Sequence, residues 1–425
     1  MILKSRAYEY TLFYIQSKIV PNLAVALYIL SRIFLFIGRK ELYAKLILTS
    51  IRYKACPNAI SNFSKNFLSG RINLEGLLSK PCSEKDAFSR AIILSNPEKT
   101  ENKFRKGVIL LSFSHTFTFF LKHELWGILN ERYLFVLEPS WSGYADPDII
   151  EFIKRANHCI VQATEITDRA LLNSIFPKVP VPDIGASNWV DYSKFDSPNL
   201  KYGKLYDALY IANSNPIKRV FRAIESFKET VSICPDFKAV IVCASWGKTD
   251  TKDYEKYINA IGLSDNVKII PGMPQKDLVA LASQCKFSIL LSLKEGSNRV
   301  LFESMFLNLP VICLYNNIGV NKSYINEFTG LLSCEGRLSN SFLTLKQEYL
   351  KYHPREWAID NISPEITTER LRSIINNRFG NEVNSKIYTK VNSPEVQYID
   401  TSMNQGKGIQ DLFNRLRKES AQSSE

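Results

Sequence analysis

Residues 292–312 read SLKEGSNRVLFESMFLNLPVI, and this stretch decides the fold. An apolar run ends at Ser292, Gly296 marks a tight loop, a helix is expected from about Asn298, and Pro310 opens the next apolar run. Strand-length apolar runs alternating with helical segments are the pattern of an α/β protein. Working outward, the same alternation predicts strands at 205–212, 238–244, 267–271, 287–292 and 310–315. Helices are expected between them at 217–231, 250–261, 275–284 and 298–307. A first series upstream predicts strands at 107–112, 133–137, 159–163 and 178–184, with helices running to 129 and at 148–155 and 168–175. Strands this apolar are covered on both faces, so the sheets are expected to be parallel and doubly wound.

The polar, aromatic-containing connector at 185–204 is the best domain boundary. It gives four parts: a basic, apolar helical extension (1–104), a first α/β domain with linker (105–200), a second α/β domain (201–380) and a polar tail (381–425) expected to be mobile. At 425 residues the chain is too long for one core, and 45 % hydrophobic with 23 % charged residues excludes a wholly disordered protein. Ligands of open α/β sheets bind outside the carboxyl ends of the strands, which puts the expected site in a cleft between the two domains.

The net charge of +12 is concentrated. Residues 1–70 hold ten cations against Glu9 and Glu41, and they include the most apolar run of the chain, 19–38. Between Lys18 and Arg32 the uncharged stretch is 13 residues, short of the roughly 20 that cross a bilayer. No signal peptide fits, because Glu9 and Lys18 interrupt the start. Packed helices or a platform on an anionic membrane surface are the readings that remain, and no nucleic-acid partner is expected. The eight cysteines form no C-x-x-C pair and no zinc spacing, and several sit in apolar runs. This is expected of a reducing, cytoplasmic setting.

Within 292–312, Glu295 stands on the loop and Glu303 on the helix, seven residues between them. Two acceptor-only carboxylates so placed can each take hydroxyl donors from one extended ligand, and the amides of Gly296, Ser297, Asn298 and Arg299 at the helix start suit phosphate oxygens. From the residues alone the plainer alternative stands beside this: Glu295 favours the helix start and Glu303 makes a surface ion pair. His115 follows the first strand, in LLSFSHTF. His115, His123 and Glu124 make no convincing metal site. Glu138, Trp141 and Tyr144 end the next strand in a loop whose aromatic rings suit stacking on a ligand, a lipid surface or packing.

The segment 292–312 resembles the signature of glycosyltransferase family 4, the retaining GT-B transferases within glycosyl transferases group 1. Three more stretches match that family in order: 159–171 (CIVQATEITDRAL), the linker at 178–195 with Val190, Asp191 and Phe195, and 212–227 (ANSNPIKRVFRAIESF). The resemblance covers about residues 105–378. It implies a GT-B-like α/β fold of two Rossmann-like domains facing a cleft, preceded here by an N-terminal helical extension. It also implies a nucleotide-diphosphate sugar as co-substrate, a glycan or lipid-linked glycan acceptor, no cofactor and no metal. The implied roles fall on Glu295 for the transferred sugar, Glu303 for the ribose, Lys218 for the diphosphate and His115 for the donor sugar. The family's Gly-Arg pair is Ala212-Asn213 here, so one cation is missing, and Arg219 or Arg299 is expected to substitute. The family's Gly-Phe-Gly is Gly296-Ser297-Asn298, so the donor sugar does not carry over. The reading is a retaining glycosyltransferase, peripheral at the cytoplasmic face of a membrane. Its rivals are a catalytically inactive GT-B module that partners glycan-assembly enzymes and, more weakly, a nucleotide-sugar epimerase.

Overall fold

The computed structural model describes residues 2–53, 57–100, 103–196, 203–247, 251–392, 396–400 and 408–422. Lys54 and Cys56, part of the connector (197–202), the expected helix start at Asp250 and part of the tail (393–395, 401–407, 423–425) lie outside the described residues. The chain forms two compact units. One comprises Met1–Lys18 with Tyr192–Ser363, the other Ile19–Asp191 with Pro364–Glu425. The 1–104 extension expected from sequence is thus divided: its first 18 residues go with the second sheet and the remainder with the first.

The first sheet has four strands in the order β1 (Ala91–Ser95), β4 (Gly107–Ser112), β5 (Tyr133–Glu138), β6 (Cys159–Val161); β2 (Glu98–Thr100) and β3 (Lys103–Arg105) form a separate antiparallel ribbon. Strands β4, β5 and β6 are parallel, and β1 runs antiparallel beside β4 with Ile92 opposite Leu110. Every residue of these four strands is buried. Alternate residues feed two layers: Ile109, Leu111, Phe135 and Leu137 meet Phe117, Phe120 and Phe152, while Leu110, Leu134 and Val136 meet Trp189, Leu371 and Ile375. Two sequence expectations are corrected here. β1 was assigned to the helical extension, but its five apolar residues pair with β4. The segment 178–184 is not a strand. It runs beside β6, with Val161 N donating to Pro180 O (3.0 Å) and Ala163 N to Pro182 O (3.1 Å), but Pro180 and Pro182 have no N–H to return to a ladder.

The second sheet contains β7 (Tyr206–Asn213), β8 (Ala239–Ala244), β9 (Val267–Pro271), β10 (Cys285–Leu290), β11 (Val311–Leu314) and β12 (Gly330–Ser333). Its spatial order is β12-β11-β10-β7-β8-β9, all parallel. In chain order this is 3-2-1-4-5-6, the order of doubly wound nucleotide-binding sheets, and it reverses between β7 and β10. Five of the six strands were expected within one or two residues.

The C-terminal tail is ordered where it is described. β13 (Lys390–Asn392) pairs antiparallel with β14 (Val396–Tyr398). The helix Ile409–Gln422 buries Ile409, Leu412, Phe413 and Leu416, with the Phe413 ring 4.6 Å from that of Phe88. The described part of the tail thus has regular structure that composition does not reveal, because the charged outer face masks this narrow apolar stripe. At the amino end, Ile2–Tyr14 continues through a π turn at Ile15–Ile19 into Val20–Phe36. The resulting helix, Ser5–Phe36, is 32 residues long and apolar enough, by length and composition alone, to cross a membrane.

Candidate functional site

The sheet reverses direction between β7 and β10, and the loops leaving these two strands hold the candidate site. After β7, Ser214 N donates to Ala244 O (2.8 Å) and Trp246 N to Ser214 Oγ (2.6 Å), which fixes the loop against the end of β8. Asn215 Oδ1 accepts from Ile217 N (3.1 Å) and opens a 3₁₀ turn, Pro216–Lys218. The buried Tyr210 hydroxyl donates to the Lys218 carbonyl. Leu293 N donates to Ile217 O (3.1 Å), so the loop after β10 is tied to the loop after β7. Across this tie Lys218 Nζ lies 2.6 Å from Glu295 Oε1, with the side chains 23 % and 10 % exposed. Two residues 77 positions apart in sequence, each expected at a donor site, form one ion pair at the switch point.

The Glu295 loop is held from its other side. Glu295 N donates to Ile318 O (2.8 Å) and Ile318 N to Leu293 O (3.0 Å). Gly319 has φ +99°, and a Cβ there would lie 1.8 Å from the Glu295 carbonyl oxygen. Only glycine allows that approach. Gly296 and Ser297 are half-buried on the loop. Asn298 caps the helix Arg299–Phe306, its Oδ1 accepting from Leu301 N (2.8 Å). Arg299 Nε pairs with Glu303 Oε1 (2.5 Å). Burial pushes the Glu303 carboxyl above its ordinary range, while the Arg299 charge pulls it back. The structure therefore brings Lys218, Glu295, Gly296, Ser297, Asn298, Arg299 and Glu303 onto two adjoining loops and one helix start.

Arg219 behaves differently, and the expectation that it supplies a second phosphate cation is corrected. Its backbone is left-handed (φ +62°) and it is 2 % exposed. Its guanidinium pairs with both oxygens of Glu335 and stacks 4.4 Å from the Phe13 ring. Arg222 shares Glu335. The amides of the next helix, Val220–Ile233, are also occupied, since Glu9 accepts from Phe221 N (3.1 Å) and Arg222 N (2.9 Å). Burial pushes Glu9 up to about 7, against the pull of those amides. Sequence reasoning missed Glu9, Tyr210, Gly319 and Glu335. Only Gly319, a glycine in the turn after β11, left any local signal.

His115 stands in the four-stranded unit, exposed on the 3₁₀ turn Ser114–Thr116 after β4. The preceding Phe113 has φ +65°, and the Arg90 guanidinium lies 4.4 Å from its ring. A bulky side chain in left-handed backbone is strain of the kind that collects at functional loops. In the loop after β5 only Trp141 is exposed (68 %). Glu138 and Tyr144 are buried, which removes them as ligand contacts. Glu138 accepts from Lys390 Nζ (2.9 Å) and Ser112 Oγ (2.9 Å), while Tyr144 Oη donates to Gln162 O (2.8 Å). Among the described residues no group of three His, Cys, Asp or Glu side chains is placed to hold a metal.

Residues 191–342 match the family model of glycosyl transferases group 1, a span that includes Lys218, Glu295 and Glu303. Among solved structures, the chain is similar to TarM at 21 % identity, covering 64 % of this chain and 54 % of that one, with a TM-score of 0.48. It is also similar to Anabaena HepE in complex with UDP (14 % identity, 63 % and 78 % covered, TM-score 0.49). A third similarity is to sucrose-phosphate synthase from Thermosynechococcus elongatus (15 % identity, 64 % and 73 % covered, TM-score 0.46). The chain spans about half the length of the TarM chain. The fold is mixed α/β, with a four-stranded sheet, a six-stranded doubly wound parallel sheet and an N-terminal helical segment.

Proposed function

We propose that this protein is a retaining glycosyltransferase that moves a hexosyl or N-acetylhexosaminyl group from a nucleotide-diphosphate sugar to a glycan or lipid-linked glycan. The observation that carries the reading is the Lys218–Glu295 pair at the switch point of a 3-2-1-4-5-6 sheet, beside a helix start that carries a second pair, Arg299–Glu303. In each pair a cation expected to meet phosphate is held by a carboxylate expected to meet hydroxyls. A diphosphate entering beside Lys218 and the Gly296–Arg299 amides supplies the cations with another anion. That releases Glu295 to orient the transferred sugar and Glu303 to accept from the ribose. As the acceptor hydroxyl oxygen bonds to the anomeric carbon and the bond from that carbon to the diphosphate oxygen breaks, the hydroxyl proton passes to the departing phosphate, whose growing negative charge Lys218 and the loop amides stabilise. Neither a covalent enzyme intermediate nor a bound cation enters this scheme. His115 is assigned to the sugar side. The free thiols at the described cysteines accord with work in the cytoplasm.

The test is a panel of nucleotide sugars scored first by thermal stabilisation and then by transfer. Glu295→Ala should lose turnover more than affinity for the free nucleoside diphosphate, whereas Lys218→Ala should lose that affinity. A specific observation favours a second reading, an inactive GT-B partner module: Asn213 stands where the resemblance predicts arginine, and Arg219 is committed to Glu335. Donor binding without hydrolysis or transfer, under conditions where acceptors are supplied, would select it.

A further inference from the structure

The helices after the π turn leave a broad apolar face outermost. Val20–Phe36 turns Ala24 and Ser31 inward, and Ser50 Oγ of the helix Lys40–Arg52 donates to the Ala24 carbonyl (2.7 Å), so small side chains let the two helices lie close. Lys40–Arg52 in turn buries Tyr43, Ala44 and Ile47 against Phe63, Phe67 and Leu171. On the opposite side Leu23, Ile29, Leu30, Ile33, Phe36 and Ile37 are all exposed, Phe36 at 92 %. At about 100° of rotation per residue these six positions fall within an arc of roughly 140°, one face of the helix. Only 11 % of the most apolar 18-residue stretch of this helix is buried.

The charges around this face are mainly cationic, with Glu41 the acidic neighbour of Lys40. From Tyr10 to Lys40 the sequence contains no Asp or Glu, and Arg32, Arg39 and Lys40 are exposed beside the apolar stripe and at the hairpin turn. We infer that this face is a lipid-binding surface that lies in the interface of an anionic bilayer. Phe36 and Ile37 insert among the acyl chains, and Arg32, Arg39 and Lys40 meet the phosphate groups. A protein partner would need acidic or hydrogen-bonding complements that an aliphatic stripe rimmed by cations does not select, whereas an anionic leaflet supplies both an apolar phase and negative charge. The Ser5–Phe36 helix is long enough to cross a bilayer, but two features weigh against a spanning arrangement. The uncharged residues 19–31 reach about 20 Å as a helix, against a hydrocarbon thickness of about 30 Å. The inward side is also seated on a folded core, which lipid cannot surround. The inference stands whether or not the chain transfers sugars.

The experiment is vesicle co-sedimentation of the full chain, using phosphatidylcholine alone and an equal mixture with phosphatidylglycerol. The chain should sediment with the mixture, bind neutral vesicles weakly, and be largely released by 1 M salt, where screening cuts the electrostatic reach to about 3 Å. Ile33→Asp with Phe36→Asp, and separately Arg39→Glu with Lys40→Glu, should each lower partitioning at least about tenfold. Both should leave the thermal melt unchanged, because the substituted side chains are exposed. Any of four results would overturn the inference: no vesicle binding, wild-type binding by both variants, retention through salt and alkaline washes as a spanning helix would show, or a solution dimer that Phe36→Asp dissolves.

Discussion

Gly319→Ala tests whether the backbone behind Glu295 sets the chemistry. The added Cβ would sit 1.8 Å from the Glu295 carbonyl oxygen and 2.8 Å from its carbon, where real contacts stay beyond 3.0 Å. Glu295 must therefore retreat by more than 1 Å, or the turn at 317–319 must open. Alanine at φ +99° adds about 1–3 kcal/mol of backbone strain. Loss of the paired hydrogen bonds between Glu295 and Ile318 and between Ile318 and Leu293 adds about 1 kcal/mol each. The expected effect is a pronounced fall in melting temperature, since these contributions reach about 3–5 kcal/mol, together with a loss of turnover of about a hundredfold, the scale associated with a 1 Å misplacement of a reacting group. Affinity for the free nucleoside diphosphate should change less, since the proposed scheme assigns it to Lys218 and the helix-start amides. Gly336→Ala is the control: it lies in the same unit, with nothing within 4 Å of its Cβ and no left-handed backbone. Initial rates, calorimetry with the diphosphate and thermal melts on both variants decide the matter. A Gly319→Ala protein that matches Gly336→Ala in rate and in melting would refute the reasoning.

Three further outcomes are expected. Lys218→Ala and Glu303→Ala should each weaken donor binding by about 1.5–3 kcal/mol, since each removes a charged hydrogen-bonding group, while circular dichroism shows an intact fold; unchanged affinity in both variants moves the site elsewhere. Burial holds the Glu9 carboxyl at about 7 instead of 4.5, so the folded state keeps a proton that the unfolded state releases between those values. The associated stability is fully present below about pH 4.5 and lost as pH rises through about 7, a total of about 3 kcal/mol. Urea unfolding should therefore show a pH slope across that window that Glu9→Gln lacks, and identical slopes would contradict the assignment. Lys390→Ala leaves Glu138 charged and buried without its partner, which should cost about 3–5 kcal/mol in denaturant unfolding. A loss below about 1 kcal/mol would mean that the pair is not what fixes the β13–β14 hairpin.

The sequence by itself determined the alternation of strand and helix, and it placed five of the six strands of the second sheet, because apolar runs and helical periods are local properties that survive without a fold. It also singled out Glu295 by its place on the loop after a strand end, and Lys218 through the family resemblance of 212–227. Their meeting at 2.6 Å follows from the parallel pairing of β7 with β10 and the Leu293–Ile217 tie. What tertiary structure alone decided are choices among partners distant in sequence. Arg219 carries the same charge as Lys218 one residue away, yet left-handed backbone turns it into Glu335 and Phe13, 116 and 206 positions distant, so its cation is spent on packing. β1 joined a sheet through an antiparallel partner that its own five residues do not specify. The tail docked through four apolar side chains diluted among charges. Glu9 became a helix cap on Val220–Ile233 although it lies more than 200 residues upstream. In each case burial and hydrogen-bond satisfaction are properties of a neighbourhood, and the neighbourhood exists only once the chain has folded.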